Sequence, residues 1–185
     1  MFTPGAPYGV AEVAKTRWRS VPFTNGRGLD LGCGQQRLFD TEFVVGIDNG
    51  AATQLGHQIN ANLQMDAKEL PFSVGTWDYV FSSYLLQEFP YKDVPAVLRD
   101  WMRVIKPGGS LSLYLPDEEL VPKVAEPERG IKEQPGALPG QKWNVNYDRV
   151  VEAMQRTAWN WDLHYFEKCH ADDEYSLYFA FKRLK

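Results

Sequence analysis

The chain has 185 residues, 44% of them hydrophobic and 24% charged, an ordinary soluble composition with room for one full core and too little for two comfortable domains. No run approaches the roughly 20 apolar residues of a membrane span, and the opening MFTPGAPYGV lacks both the basic start and the apolar stretch of a signal peptide, so a single cytoplasmic domain over 1–185 with no membrane insertion is expected. The net charge of -4, with basic residues clustered only at Lys182, Arg183 and Lys185, argues against a nucleic-acid backbone as partner and favours a small or neutral one.

In chain order, residues 10–18 predict a short opening helix, 28–31 a first strand, 43–47 a second ending at Asp48, and 62–65 a third ending at Asp66. The 50–59 stretch between the second and third strands is too short and too poor in apolar periodicity for a full helix. Residues 77–82 form a continuous apolar fourth strand of the kind buried on both faces. Val94, Val97, Leu98, Trp101, Met102 and Ile105 make one apolar stripe at helical spacing over 94–105. Lys106-Pro107-Gly108-Gly109 reads as a turn into a fifth strand at 110–115. Beyond it, prolines and glycines rule out a long helix over about 116–146, which reads as a mobile lid or substrate loop. Helical periodicity resumes over 148–157, and 161–168 with 174–183 close the chain on an antiparallel hairpin. The expected fold is α/β, a seven-stranded, mostly parallel Rossmann-like sheet with an antiparallel last strand and helices on both faces.

Two cysteines, Cys33 and Cys169, allow no disulfide framework or four-cysteine metal site, and His57, His164 and His170 show no ligand spacing, so no metal is expected. The chemistry concentrates at Gly28-Leu29-Asp30-Leu31-Gly32-Cys33-Gly34. A dinucleotide site needs a third glycine to bring a helix N-terminus to the pyrophosphate, and here Gln35, Gln36 and Arg37 follow instead. Asp30 would repel a pyrophosphate and suits a cationic group such as an amino-acid ammonium. Asp48 is placed to accept hydrogen bonds from ribose hydroxyls, and Asp66 from an adenine amino group. Ammonium, ribose and adenine in sequence, with no phosphate to hold, describe S-adenosylmethionine.

The sequence resembles the class I S-adenosylmethionine-dependent methyltransferases through Leu29-Asp30-Leu31-Gly32-Cys33-Gly34, Val45-Gly46-Ile47-Asp48, Asp66-Ala67 with Leu70-Pro71-Phe72, Asp78-Tyr79-Val80, and Arg103-Val104-Ile105-Lys106-Pro107-Gly108-Gly109. The resemblance implies that Asp30, Gly32, Gly34, Asp48, Asn49, Asp66 and Ala67 hold the cofactor, and that Ser82, Ser83 and Tyr84 border its methyl group. It is closest to small bacterial enzymes of the kind found among cell-surface polysaccharide genes. Those often read Leu-Leu-Glu-His where this chain has Leu85-Leu86-Gln87-Glu88, and Asp-Glu-Tyr-Ser where it has Asp173-Glu174-Tyr175-Ser176. Glu88 therefore replaces the histidine and is the candidate general base, with Tyr84 offering its ring face or hydroxyl. Asp117, Trp143, Asn144 and Asn146 are candidate substrate contacts. No Asn/Asp-Pro-Pro-aromatic stretch follows the fourth strand, which speaks against nucleic-acid bases and for a small-molecule or sugar acceptor methylated on oxygen or nitrogen. The rival reading is a catalytically silent cofactor-binding subunit that activates a partner methyltransferase. The sequence carries no signal for the oligomeric state.

Overall fold

The computed structural model describes residues 10–51, 58–171 and 173–185. Over them the chain runs α1 (Val10–Ser20), β1 (Gly28–Leu31), β2 (Val44–Asp48), β3 (Leu63–Gln64), β4 (Trp77–Ser83), α2 (Val94–Val104), β5 (Ile105–Pro116), α3 (Tyr147–Gln155), β6 (Trp161–Cys169) and β7 (Ser176–Arg183). The strands form one seven-stranded sheet in the order β3-β2-β1-β4-β5-β7-β6. It is parallel from β3 to β5, while β7 runs antiparallel to both β5 and β6. His57 and most of the 50–59 stretch lie outside the described residues. Among the described residues no helix is long and apolar enough to cross a membrane.

The apolar patterns explain which side each element covers. Strand β1 is buried along its whole length, as a central parallel strand with both faces packed must be. The stripe of α2 packs with Val150, Ala153 and Met154 of α3 onto Leu111, Leu113, Leu177, Phe179 and Phe181 on one sheet face. On the other face Val13 of α1 joins Leu38, Val44, Tyr79 and Phe81. The Arg17 Nε–H donates to the Leu38 carbonyl at 2.6 Å, fastening α1 to the loop that follows β1.

Most elements shift by a residue or two from their sequence-based bounds, and at three the local reason is visible. The Lys106–Gly109 turn lies inside β5, as an arc bulged out where the register jumps from Trp77↔Ile105 to Tyr79↔Ser110. Gly109 fits there because a Cβ would stand 2.4 Å from the Asp78 carbonyl oxygen. Strand β3 is only two residues long because at Asn62 the side-chain Oδ1, not the backbone carbonyl, accepts from the Gly46 N–H at 2.8 Å. Helix α3 starts one residue earlier than expected, where Asn146 Oδ1 accepts from the Arg149 N–H at 2.9 Å.

The proline- and glycine-rich 117–146 segment has little regular structure, with one short turn at Pro127–Arg129 and an isolated bridge between Glu126 and Ile131. It is nevertheless fastened to the body. The Glu118 N–H donates to the Val145 carbonyl and the Lys142 N–H to the Gln87 carbonyl, both at 2.8 Å. Trp143 and Val145 are wholly buried. At its centre the interior Glu126 carboxylate accepts from the Asn144 backbone N–H at 2.7 Å, from Asn144 Nδ2 at 2.6 Å, and from Arg149 at 2.6 and 2.8 Å. Burial opposes the charge of Glu126, but the Asn144 amide and the Arg149 guanidinium outweigh it and hold the carboxyl below its ordinary value of 4.5.

Removing Glu126 strands a guanidinium that is itself largely buried, so Glu126→Ala should lower unfolding stability by about 3–5 kcal/mol in urea titrations near pH 7. A carboxyl with a lowered folded value contributes fully above its ordinary value and loses that contribution as pH falls through the folded one. The gap between wild type and variant should therefore close in acid. A gap below about 1 kcal/mol at neutral pH would contradict the anchoring role of this pair.

Candidate active site

The register sets the site. Leu31 lies opposite both Ile47 and Ser82, Asp48 opposite Gln64, and Ser83 opposite Tyr114, so the carboxyl ends of β1 to β5 meet along one edge. Ligands bind at such edges in open α/β sheets because the loops leaving the strands diverge there.

At the end of β1, Asp30 is 1% exposed and its Oδ2 accepts from the Leu38 N–H at 2.6 Å, curling the glycine loop back on the strand. Burial pushes its carboxyl up to about 7. Gly34 holds φ +53, and nothing lies within 4 Å of where a Cβ would stand, so a ligand can approach the backbone there. Asp48 spans two loops, with Oδ2 accepting from the Gly34 N–H at 3.0 Å and Oδ1 from the Gly50 N–H at 2.8 Å. Each of its oxygens keeps a lone pair for a further donor. Asn49 beside it is exposed, its Oδ1 accepting from the Ala51 N–H at 2.8 Å.

Asp66 is exposed and accepts from the Lys68 N–H at 2.8 Å, while the buried Ala67 gives its carbonyl to Trp101 Nε1 at 2.7 Å. Helix α2 clamps the rest of this segment. Asp100 Oδ2 accepts from the Leu70 N–H at 2.7 Å, and Arg103 donates to the Leu70 and Phe72 carbonyls at 2.7 and 2.5 Å. A groove of about 610 Å³ lies on the outer side of this clamp, lined by Lys68, Arg99, Asp100, Arg103 and Trp159. It stands apart from the strand-end edge and its glycine loop.

The far wall comes from the end of β4. Ser82 is buried and donates to the Leu31 carbonyl at 3.1 Å, and Ser83 is half-buried. Tyr84 adopts φ +55, a left-handed backbone conformation that a residue with a side chain takes only under local constraint. Its hydroxyl lies 2.7 Å from Ser176 Oγ, and its ring packs against Tyr114 and Tyr175. Burial, with the Glu12 charge behind it, pushes the Tyr84 phenol well above its ordinary value. Glu88 is exposed, with its carboxylate 3.4 Å from where a Cβ on Gly140 would stand. Burial and then the Asp48 charge raise its carboxyl, against a smaller opposing pull from Lys142.

The four residues read as substrate contacts are held elsewhere. Trp143 and Asn144 are fully buried, Asn144 tied to Glu126 and to the Val124 backbone. Asn146 caps α3 and donates to Glu118 at 2.9 Å. Asp117 is buried against His170 Nε2 at 2.8 Å. With Glu119 these two make a grouping of metal-ligand type that sequence spacing does not signal, although the Lys168 ammonium already spans both Glu119 oxygens at 2.7 and 2.8 Å. Sequence reasoning missed Glu12, Gln87 and Gln141, which the fold brings around Tyr84 and Glu88. Gln87 alone carried a signal, as the neighbour of Glu88.

Residues 29–113 match the family model described as a methyltransferase domain. No curated protein sequence matches the chain. Among solved structures it is similar to a Pyrococcus horikoshii protein at 19% identity, with 92% of this chain and 89% of that one covered and a TM-score of 0.64. It is also similar to an S-adenosylmethionine dependent methyltransferase from Mesorhizobium loti at 16% identity, 91% and 98% covered, TM-score 0.63. A third is a phosphoethanolamine N-methyltransferase from Haemonchus contortus with S-adenosylhomocysteine bound, at 15% identity, 93% and 42% covered, TM-score 0.63. Residues 29–113 thus match a methyltransferase-domain family, and the chain shares the fold of a solved S-adenosylmethionine dependent methyltransferase.

The raised Asp30 carboxyl has a consequence for stability in the free protein. A carboxyl whose folded value lies above its unfolded value near 3.8 favours the folded state only while protonated, so stability should fall as pH rises from about 4 to about 7 on its account. Asp30→Asn keeps an acceptor for the Leu38 N–H and removes the buried charge. It should raise stability at pH 8 by about 2–4 kcal/mol and change it little at pH 4. Equal effects at both pH values, in denaturant titrations, would contradict this.

Proposed function

We propose that this class I methyltransferase domain transfers a methyl group from S-adenosylmethionine to the oxygen or nitrogen of a small-molecule or sugar acceptor, in the cytoplasm, at the strand-end edge of β1, β2 and β4. The observation that carries the reading is the order of groups along that edge inside the matched segment: a glycine loop open at Gly34, then Asp48, then Asp66. In this reading Asp30 balances the ammonium of the cofactor's amino-acid end, and Gly32 and Gly34 let it lie close to the backbone. Asp48 and Asn49 accept from the ribose, Asp66 and Ala67 hold the adenine, and Ser82 and Ser83 border the sulfonium. These residues fit such a ligand, because the carboxylates offer acceptors to its ammonium, hydroxyls and amino group and no cluster of cations prepares for a phosphate.

S-Adenosylmethionine supplies a methyl on a positively charged sulfur, whose leaving group departs neutral. Positioning therefore does most of the work that remains for the protein. Glu88 takes the acceptor's proton, its raised carboxyl bringing it closer to the working pH. Tyr84 presents its ring toward the transferring group. Asp117, Trp143, Asn144 and Asn146 act from behind, fixing the course of the 116–146 segment, whose stretch near Gly140 forms the acceptor-side cover.

The test is release of S-adenosylhomocysteine by the isolated chain on a mixed acceptor panel. Asp48→Ala should weaken S-adenosylhomocysteine binding in calorimetry by about 1.5–3 kcal/mol, and Asp48→Asn by less. Unchanged affinity in a folded variant would remove Asp48 from the ribose site. Glu88→Gln should cut turnover about 10² to 10⁴-fold with cofactor affinity nearly kept, and should abolish a rise of rate with pH. If turnover stays within a few-fold across pH, transfer runs on positioning alone.

A further inference from the structure

Buried polar side-chain atoms in native proteins are almost always hydrogen-bonded, and each exception calls for a reason. Of eight such exceptions among the described residues, three are acceptor oxygens on segments linked to the chain that follows β4: Glu12 Oε2, Gln87 Oε1 and Gln141 Oε1. The two amides cannot be relieved by turning over. Gln87 Nε2 donates to the Tyr84 carbonyl at 2.6 Å and Gln141 Nε2 to the Trp143 carbonyl at 2.9 Å, so a flip would set oxygen against oxygen. Gln141 sits between Gly140, which abuts Glu88, and Lys142, whose N–H donates to the Gln87 carbonyl, so the two segments close on the same wall. Glu12 reaches it from α1. Its Oε1 accepts from the Tyr175 hydroxyl at 3.0 Å and from Lys15 at 3.2 Å, and the Tyr175 ring stands edge-on to Tyr84 at 6.4 Å.

We propose that these oxygens recognise N–H donors on the acceptor, and that the substrate class is a small amine bound as its ammonium between Glu12, Gln87, Gln141 and Glu88 with the Tyr84 ring beside it. This rests on the methyltransferase reading and names the acceptor of the same site. An alcohol brings one donor and no charge to such a wall, whereas an ammonium brings three donors and a charge that tyrosine rings also attract. The Lys15 ammonium shows the preference within the chain itself, lying 5.3 Å from the Tyr175 ring centroid while paired with Glu12 and Asp173. In the reaction the bound ammonium gives one proton to Glu88. The freed nitrogen lone pair then takes the methyl, and the electron pair of the broken carbon–sulfur bond stays on sulfur.

The test is calorimetric titration of the full chain, with and without saturating S-adenosylhomocysteine, using 2-phenylethylamine, ethanolamine and putrescine against 2-phenylethanol, ethylene glycol and 1,4-butanediol. At least one amine should bind at least about tenfold more tightly than its alcohol counterpart. Glu12→Gln, which keeps an acceptor for Tyr175 and removes the charge, should erase most of that preference while leaving S-adenosylhomocysteine affinity in place. Binding of S-adenosylhomocysteine with no amine preferred over its alcohol, or methylation of the alcohols instead, overturns the amine inference and leaves the methyltransferase reading standing. No binding of S-adenosylhomocysteine removes both. The comparison of amine with alcohol needs only the wild-type chain, so it decides the matter even if the variant does not fold.

Discussion

Everything at the site depends on parallel pairing of β1 with β2 on one side and β4 on the other. Parallel strands in register release their chains at one edge, and here Leu31, Asp48 and Ser83 reach it together. The loops leaving that edge carry strong backbone donors that must find partners. Asp30 and Asp48 provide them, the first for Leu38 and the second for both Gly34 and Gly50. The same carboxylates that close the loops thereby line the space between them. No helix forms between β1 and β2 in the described chain, so this glycine loop is held by these carboxylates together with backbone bonds from the Gly32 and Cys33 N–H groups to the Ile47 carbonyl and from the Asn60 N–H to the Gly34 carbonyl. Arg37 takes part by reaching the Val44 carbonyl and Asn62 and pairing with Asp40.

Several unfavourable features of the molecule gather where the strands end. Asp30 is a buried carboxyl driven up to about 7, Tyr84 has a left-handed backbone, and the oxygens of Glu12, Gln87 and Gln141 lack donors. The carboxyl would be relieved by a cation and the oxygens by N–H donors, and local backbone strain accompanies them at Tyr84, which is the pattern expected of a surface prepared for binding. The opposite holds away from the edge. The Glu126–Asn144–Arg149 cluster and the α2 clamp on 67–72 are closely satisfied, and the apolar faces of α2 and α3 fill the core between them. Stability on that side offsets what the edge gives up.

Most of the fold was legible because its signals are local. Apolar runs with aspartate at their ends gave β1 and β2, continuous apolar content gave β4, and the stripe from Val94 to Met102 gave α2. The glycine loop and the aspartates at strand ends pointed to an adenosine cofactor through their order alone. What escaped depends on partners far apart in sequence. Nothing near Glu126 announces Arg149, so a stretch full of proline and glycine read as loose although its centre is an interior ion pair. Trp143 and Asn144 are polar enough to suggest substrate contacts, and only the packing shows them to be interior. Asn62 shortened β3 by substituting a side-chain oxygen for a backbone one, which no periodicity records. Glu12 was hidden in an amphipathic helix, where a glutamate ordinarily means solvent.

The central claim is that the cofactor lies along the strand-end edge and not in the groove outside α2. Amide chemical shifts followed through a titration of the labelled chain with S-adenosylhomocysteine measure this directly. The account predicts saturable shifts concentrated at Gly32, Gly34, Asp48, Asn49, Ala67 and Ser83. Shifts confined instead to Lys68, Arg99, Arg103 and Trp159, with the glycine loop unmoved, would contradict it.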